Sequence, residues 1–230
     1  YITEHVPFCV NRRGTESFVT VSAGKAFQIF NCEKMRLVLV GPQLGDDSPD
    51  ISALACRNDL TFVGTGSDIV VCRRTHKLCT FVGPSDATTI KKLFVFGGDL
   101  ISIDSNGNVR AWDISSQKLG RMDGNVKKSE RKDNARQAGD DSDDESSSSD
   151  DDDEANDDSS DQKRITKHRT FALPKPFKAT SICHPDTYLN KVVLGGQGGE
   201  LILLNVKTGK TIHTFTADGN LGNVDNSPVT

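Results

Sequence analysis

Four segments of the chain can be written under one another: "FVTVSAGKAFQIFNCEKMRLVLV" from Phe18, "LTFVGTGSDIVVCRRTHKLCTFV" from Leu60, "LISIDSNGNVRAWDISSQKL" from Leu100 and "VVLGGQGGELILLNVKTGKTIHTF" from Val192. In each, an apolar strand of about five residues meets a Gly-containing turn, then a second strand, a short polar turn and usually a third strand. A fourth strand lies upstream of each unit: "HVPFCV" at 5–10, "DISALAC" at 50–56, "IKKLFVF" at 90–96 and "KATSICH" at 178–184. The starts are 42, 40 and 92 residues apart, and the last spacing contains one extra stretch of about 50 residues. A period near 40 with four strands per unit is the mark of WD-repeat propeller blades. The sequence therefore predicts an all-β WD-repeat β-propeller of about four blades, with strands a, b, c and d in chain order and no helical periodicity.

The turns agree with this reading. Asn106-Gly107 is the preferred dipeptide for a tight hairpin, and Gly24, Gly66, Gly198 and Gly199 supply positive φ at equivalent places between strands b and c. Only one unit closes strand c with a Trp-Asp pair, Trp112-Asp113; the equivalents are Phe30-Asn31, Cys72-Arg73 and Leu204-Asn205. Three blades are thus degenerate, and no Gly-His dipeptide precedes any of them. That places the usual stiffening polar network in question, though not the architecture. Four blades are fewer than a propeller commonly has, and the tail "ADGNLGNVDNSPVT" stops where another strand a should begin. The chain reads as roughly half of a larger propeller, and its start at Tyr1 as that of a fragment or processed product.

The extra stretch is explained by charge. The chain holds 28 Lys+Arg and 32 Asp+Glu, but residues 140–161 contain thirteen acidic residues and no basic one. Basic flanks surround this run: Arg121, Lys127, Lys128, Arg131, Lys132 and Arg136 before it, and Lys163, Arg164, Lys167 and Arg169 after it. A self-repelling run without apolar residues cannot offset its ordering entropy. The expected organisation is blades one to three over 1–120, a disordered charged insertion over 121–170, blade four over 171–216, and a further blade or tail over 217–230. On this reading the insertion joins strand d of blade three to strand a of blade four. It would then project beside Gly24-Lys25, Gly66-Ser67, Asn106-Gly107 and Gly198-Gly199. Ser142, Ser147, Ser148 and Ser149 each have Asp or Glu three residues on, a pattern that resembles acidophilic casein-kinase-2 sites and marks them as candidates for phosphorylation.

The residues offer little for catalysis or cofactor binding. "TGKT" at 208–211 resembles the end of a phosphate-binding loop, but position 204 is Leu where Gly is needed, and a turn between strands has no helix N-terminus to cradle phosphate. "GGQGG" at 195–199 fails the dinucleotide spacing because position 201 is Leu. His5, His76, His168, His184 and His213 stand without a second metal ligand at ligand spacing, and the six cysteines fall singly in apolar runs as buried intracellular thiols would. No catalytic residue, metal site, cofactor, small-molecule substrate or membrane segment is expected. Outside the insertion and its flanks, Lys and Arg exceed Asp and Glu by two, which argues against a strong nonspecific grip on nucleic acid. Local patches remain at Arg12-Arg13, Arg73-Arg74 and Lys91-Lys92.

One stretch is more specific than the blade pattern. "HPDTYLNKVVLGGQGGELILLNV", 184–206, with its His184-Pro185-x-Thr187-Tyr188-Leu189-Asn190-Lys191 lead, resembles the family of WD-repeat protein 36, also called U3 small nucleolar RNA-associated protein 21. "HVPF" at 5–8, "AGKAFQIFNC" at 23–32 and the spacing of blades two and three match the same family. The resemblance implies the beginning of the first of two tandem propellers in a nucleolar scaffold protein. It implies a subunit of the small-subunit processome, within its UTP-B assembly, that acts in pre-ribosomal RNA processing beside U3 small nucleolar RNA. The acidic insertion departs from the compact family pattern. A different class stays open, in which the acidic loop of a chromatin factor holds histone tails by polyelectrolyte attraction.

Overall fold

The computed structural model describes residues 6–115, 163–186 and 188–215. All regular structure among them is β-strand, arranged as four blades of antiparallel strands, one of them extended by a short parallel strand. Blade one runs β1 (Phe8–Arg13), β2 (Glu16–Ala23), β3 (Ala26–Asn31), β4 (Arg36–Val40), and blade two runs β5 (Ile51–Arg57), β6 (Leu60–Thr65), β7 (Asp68–Arg73), β8 (His76–Phe81). Blade three begins β9 (Ile90–Phe96), β10 (Asp99–Asp104), β11 (Val109–Asp113). Two short strands follow the insertion, β12 (Arg164–Ile165) and β13 (Arg169–Thr170), before blade four, β14 (Ala179–Cys183), β15 (Lys191–Gly196), β16 (Leu201–Asn205), β17 (Thr211–Phe215). First strands adjoin first strands, β1 with β5 and β5 with β9, so strand a of each blade lies innermost.

Period-two alternation explains why the blades stack. On β6 and β7, Phe62, Ile69 and Val71 join a core shared with Leu100, Trp112 and Ile114 of blade three. Their neighbours Val63, Val70 and Cys72 face the other way, into a core shared with Phe27 and Ile29 of blade one. Blade three repeats the arrangement, sending Ile101, Ile103, Val109 and Ala111 toward Val192, Leu194, Ile202 and Leu204 of blade four. Each blade interface thus has its own core. Strand a of blade two serves both sides, and a register shift between Ile51 and Ala53 puts Ile51 with Leu54 toward blade one while Ala53 and Ala55 face blade three.

Strand connectivity differs from the sequence expectation at one place. The fourth strand of blade three does not precede the insertion; it is β13, which lies beyond it and pairs with β11 through Arg110↔Thr170 and Ala111↔Arg169. The insertion therefore joins strand c to strand d within blade three, and not strand d of blade three to strand a of blade four. Phe171 and Ile165 account for this choice, because they complete the cores on either side of blade three, whereas "SSQKL" after Ile114 offers a single large apolar residue. A c-to-d connection leaves at the end of the strands where the a-to-b turns lie, opposite the b-to-c turns. β12 and β13 both fall within the span 121–170 read as insertion, while its acidic centre and the four candidate serines lie outside the described residues.

Candidate interaction surface

Trp112-Asp113 closes β11, and Phe30-Asn31, Cys72-Arg73 and Leu204-Asn205 close β3, β7 and β16 at the matching positions. The indole Nε1 of Trp112 donates to Ser102 Oγ at 3.0 Å across β10, and the ring stacks on Phe81 of blade two at 5.4 Å between centroids. Asp113 Oδ1 accepts the Ser115 amide at 3.0 Å. Where Asp is replaced by Asn the same task is done: Asn31 Oδ1 accepts from the amides of Glu33 and Lys34, and Asn205 Oδ1 from those of Lys207 and Thr208. Degeneracy of the pair has therefore spared the turn-capping half of its function in blades one and four. In blade two Arg73 instead pairs with Asp59 at 2.9 Å.

Beneath Trp112 lies a polar cluster that the sequence reading did not single out. Asp104 and Arg110 are both buried and form an ion pair at 2.7 Å. Asp104 Oδ1 also accepts the backbone amides of Asn106 and Asn108, and Oδ2 the side-chain amide of Asn108. Burial alone would push this carboxyl up, but the hydrogen bonds from Asn108 and Arg110 outweigh it and hold it below the usual carboxylate range. The signal was present in "DSNGNVR": an Asp two residues before Asn-Gly can reach round its own turn. Positive φ in that dipeptide falls on Gly107 alone, at +80°, so the turn is an Asp-capped one and not the two-residue hairpin that the dipeptide predicts.

The segment Lys163–Phe171 ties blade three to blade two at the outer rim. Thr80 N donates to Lys163 O at 3.0 Å and Val82 N to Ile165 O at 2.8 Å, making β12 a fifth, parallel strand of blade two. The His168 ring then lies 5.0 Å from Trp112, and Arg169 pairs with Asp99 at 2.9 Å while also donating to the carbonyls of Val206 and Lys207.

Residues 184–186 and 188–190 lie in the a-to-b connection of blade four, at the same end of the strands as the base of the insertion. The His184 ring packs edge-on against Phe96 at 4.9 Å and its Nε2 hydrogen-bonds the Tyr188 carbonyl, while Lys191 Nζ sits 4.3 Å over the Tyr188 ring. Tyr188 N donates to Pro185 O, and Asn190 O accepts from Val206 N. This internal bracing holds Leu189 99% exposed with Tyr188 beside it at 39%. Thr187 lies outside the described residues.

The remaining candidates disperse. "TGKT" spans the turn from β16 to β17 and "GGQGG" the end of β15 and the turn to β16. Arg13 stacks over Phe18, and Lys91 and Lys92 line an open inner groove of about 670 Å³ with Pro7, Phe8 and Ser52. Among the described residues no three His, Cys, Asp or Glu side chains gather as metal ligands would, and none of the described cysteines is in a disulfide.

No protein-family model matches the chain. Among curated proteins it is 27% identical over 215 residues to the U3 small nucleolar RNA-associated protein 21 homolog of Schizosaccharomyces pombe, a match covering 94% of this chain and 19% of that protein. It is 26% identical over 199 residues to WD repeat-containing protein 36 of Homo sapiens, covering 86% of this chain and 16% of that one. The chain thus spans about a fifth or less of the length of these curated relatives. Solved structures with a similar fold include Chaetomium thermophilum Raptor (TM-score 0.60, 12% identity, 98% of this chain and 17% of that one). Another is the Cps50 (Swd1) β-propeller domain of Myceliophteria thermophila (TM-score 0.57, 10% identity, 94% and 56%). These two likenesses concern the fold alone, and with it the β-propeller architecture expected from the repeat.

Proposed function

From a chain that resembles the family of U3 small nucleolar RNA-associated protein 21 and WD repeat-containing protein 36 along most of its length, we propose a non-catalytic scaffold of the small-subunit processome. The observation that carries the proposal is the match to a curated protein of that name over 94% of this chain. The chain is part of a ribosome-biogenesis WD-repeat propeller. Within that role its blades dock other processome proteins, those of the UTP-B assembly, in the nucleolus, and meet U3 small nucleolar RNA and pre-ribosomal RNA weakly or through neighbours. Rigid blades carrying variable loops suit such docking. The braced loop between β14 and β15 supports the reading, since it presents Leu189 fully to solvent.

The test is affinity purification of the tagged whole protein from cells, comparing wild type with Leu189→Ser. Wild type should recover processome proteins and U3 RNA, and the variant should recover them roughly tenfold less well with unchanged thermal stability. Recovery of core histones released by moderate salt, in place of processome proteins, would refute the scaffold assignment in favour of a chromatin role.

A further inference from the structure

Independently of that role, the blade one–blade two interface holds a pair of thiols that the function above leaves unused. Cys9 on β1 and Cys56 on β5 belong to the innermost strands of neighbouring blades, 47 residues apart in the chain, and their sulfurs lie 2.7 Å apart. That is only about 0.7 Å longer than a disulfide bond. Both side chains point into the interface, each flanked on its own sheet by a threonine: Cys9 opposite Thr20 and Cys56 opposite Thr61. Cys56 Sγ contacts the two hydroxyls at 3.3 and 3.9 Å. The threonines are buried, whereas both cysteines are only partly so.

We propose that Cys9 and Cys56 are a reversible redox site that forms a disulfide between strands a of blades one and two. The oxidant is a low-molecular-weight disulfide of the oxidised-glutathione class. The Cys56 thiolate attacks one glutathione sulfur and expels the first glutathione thiolate, leaving a mixed disulfide. Cys9 then attacks Cys56 Sγ, the mixed bond breaks, and the second glutathione leaves. Two protein thiols are oxidised, one glutathione disulfide is reduced to two thiols, and the two protons released pass to the departing thiolates.

Cys56 is suited to act first. Hydrogen bonding with Cys9, then with Thr20 and Thr61, lowers its thiol against the opposing effect of burial. Cys9 is held protonated, chiefly by that same hydrogen bond and by burial. Cys72, by contrast, is pushed up to about 12 by burial and lies with its side chain inside the core. Closing a loop between two blades restricts the unfolded chain, so the oxidised form should be the more stable one.

The experiment uses the whole protein purified natively, equilibrated with oxidised glutathione, alkylated and mapped by mass spectrometry. The expected result is a Cys9-peptide linked to the Cys56-peptide, 2 Da lighter than their sum and released by reductant, with Cys32, Cys72, Cys79 and Cys183 still alkylated. The thermal midpoint should rise by about 5–15 °C on oxidation. Cys9→Ser should abolish that rise and leave glutathione trapped on Cys56. Finding both cysteines alkylated after oxidation, or each carrying its own glutathione in the wild-type protein, would overturn the proposal. The wild-type map decides the matter even where a serine variant fails to fold.

Discussion

The buried pair Asp104–Arg110 shows how much one turn depends on a single carboxylate. Asp104→Ala would remove the partner of a buried guanidinium and the acceptor of three further donors, so a loss of about 3–5 kcal/mol is expected in denaturant unfolding. Ser102→Ala, which removes only the acceptor of the Trp112 indole, should cost about 1 kcal/mol. The pH dependence follows from sign. Asp104 titrates lower in the folded protein than in the unfolded chain, so its contribution is complete above the unfolded carboxylate range and is lost as pH falls through the folded value. The stability of wild type should therefore drop on acidification below about pH 4, and Asp104→Asn should flatten that part of the profile. A variant profile that superimposes on wild type would count against the pairing.

At the scale of elements, two-residue strands carry disproportionate weight. β12 and β13 are too short and too polar to be read from a pattern; what places them is Ile165 in one inter-blade core and Phe171 in the next. Ile165→Asp should release β12 from β8, and hydrogen exchange should speed up at the Thr80 and Val82 amides while β16 keeps its protection. Gly107 sits where blade three meets blade four, and a Cβ there would lie 2.7 Å from the Ala179 amide nitrogen, at a φ that L side chains rarely adopt. Gly107→Ala is expected to cost roughly 1–3 kcal/mol, and a thermal midpoint unchanged from wild type would count against that close approach.

Across the whole molecule, the cores form a chain of interfaces between successive blades and not one central mass. Stability should accordingly be local. Leu194→Ala, at the blade three–four interface, should cost about 2–5 kcal/mol and loosen β14 to β17 in hydrogen exchange, leaving β2 and β3 as protected as before. Uniform loss of protection across all four blades would contradict this quasi-linear arrangement.

The repeat, the positions of the b-to-c turns and strand a of blades two to four were legible from amino-acid order, because alternation with a period of two and Gly at fixed offsets are local properties; strand a of blade one, expected at 5–10, runs Phe8–Arg13, and Gly198 does not take the positive φ expected of it. The Trp112-Asp113 pair was legible too, and the turn-capping role of Asn31 and Asn205 could have been. What chain order alone did not determine was which short segment sits beside β11. That competition is between Ile114–Leu119 and Arg169–Thr170, and it is decided by apolar contacts to two neighbouring blades that lie far away in sequence. Cys9 and Cys56 are of the same kind: 47 residues separate them along the chain, and only the stacking of one blade on the next brings their sulfurs together.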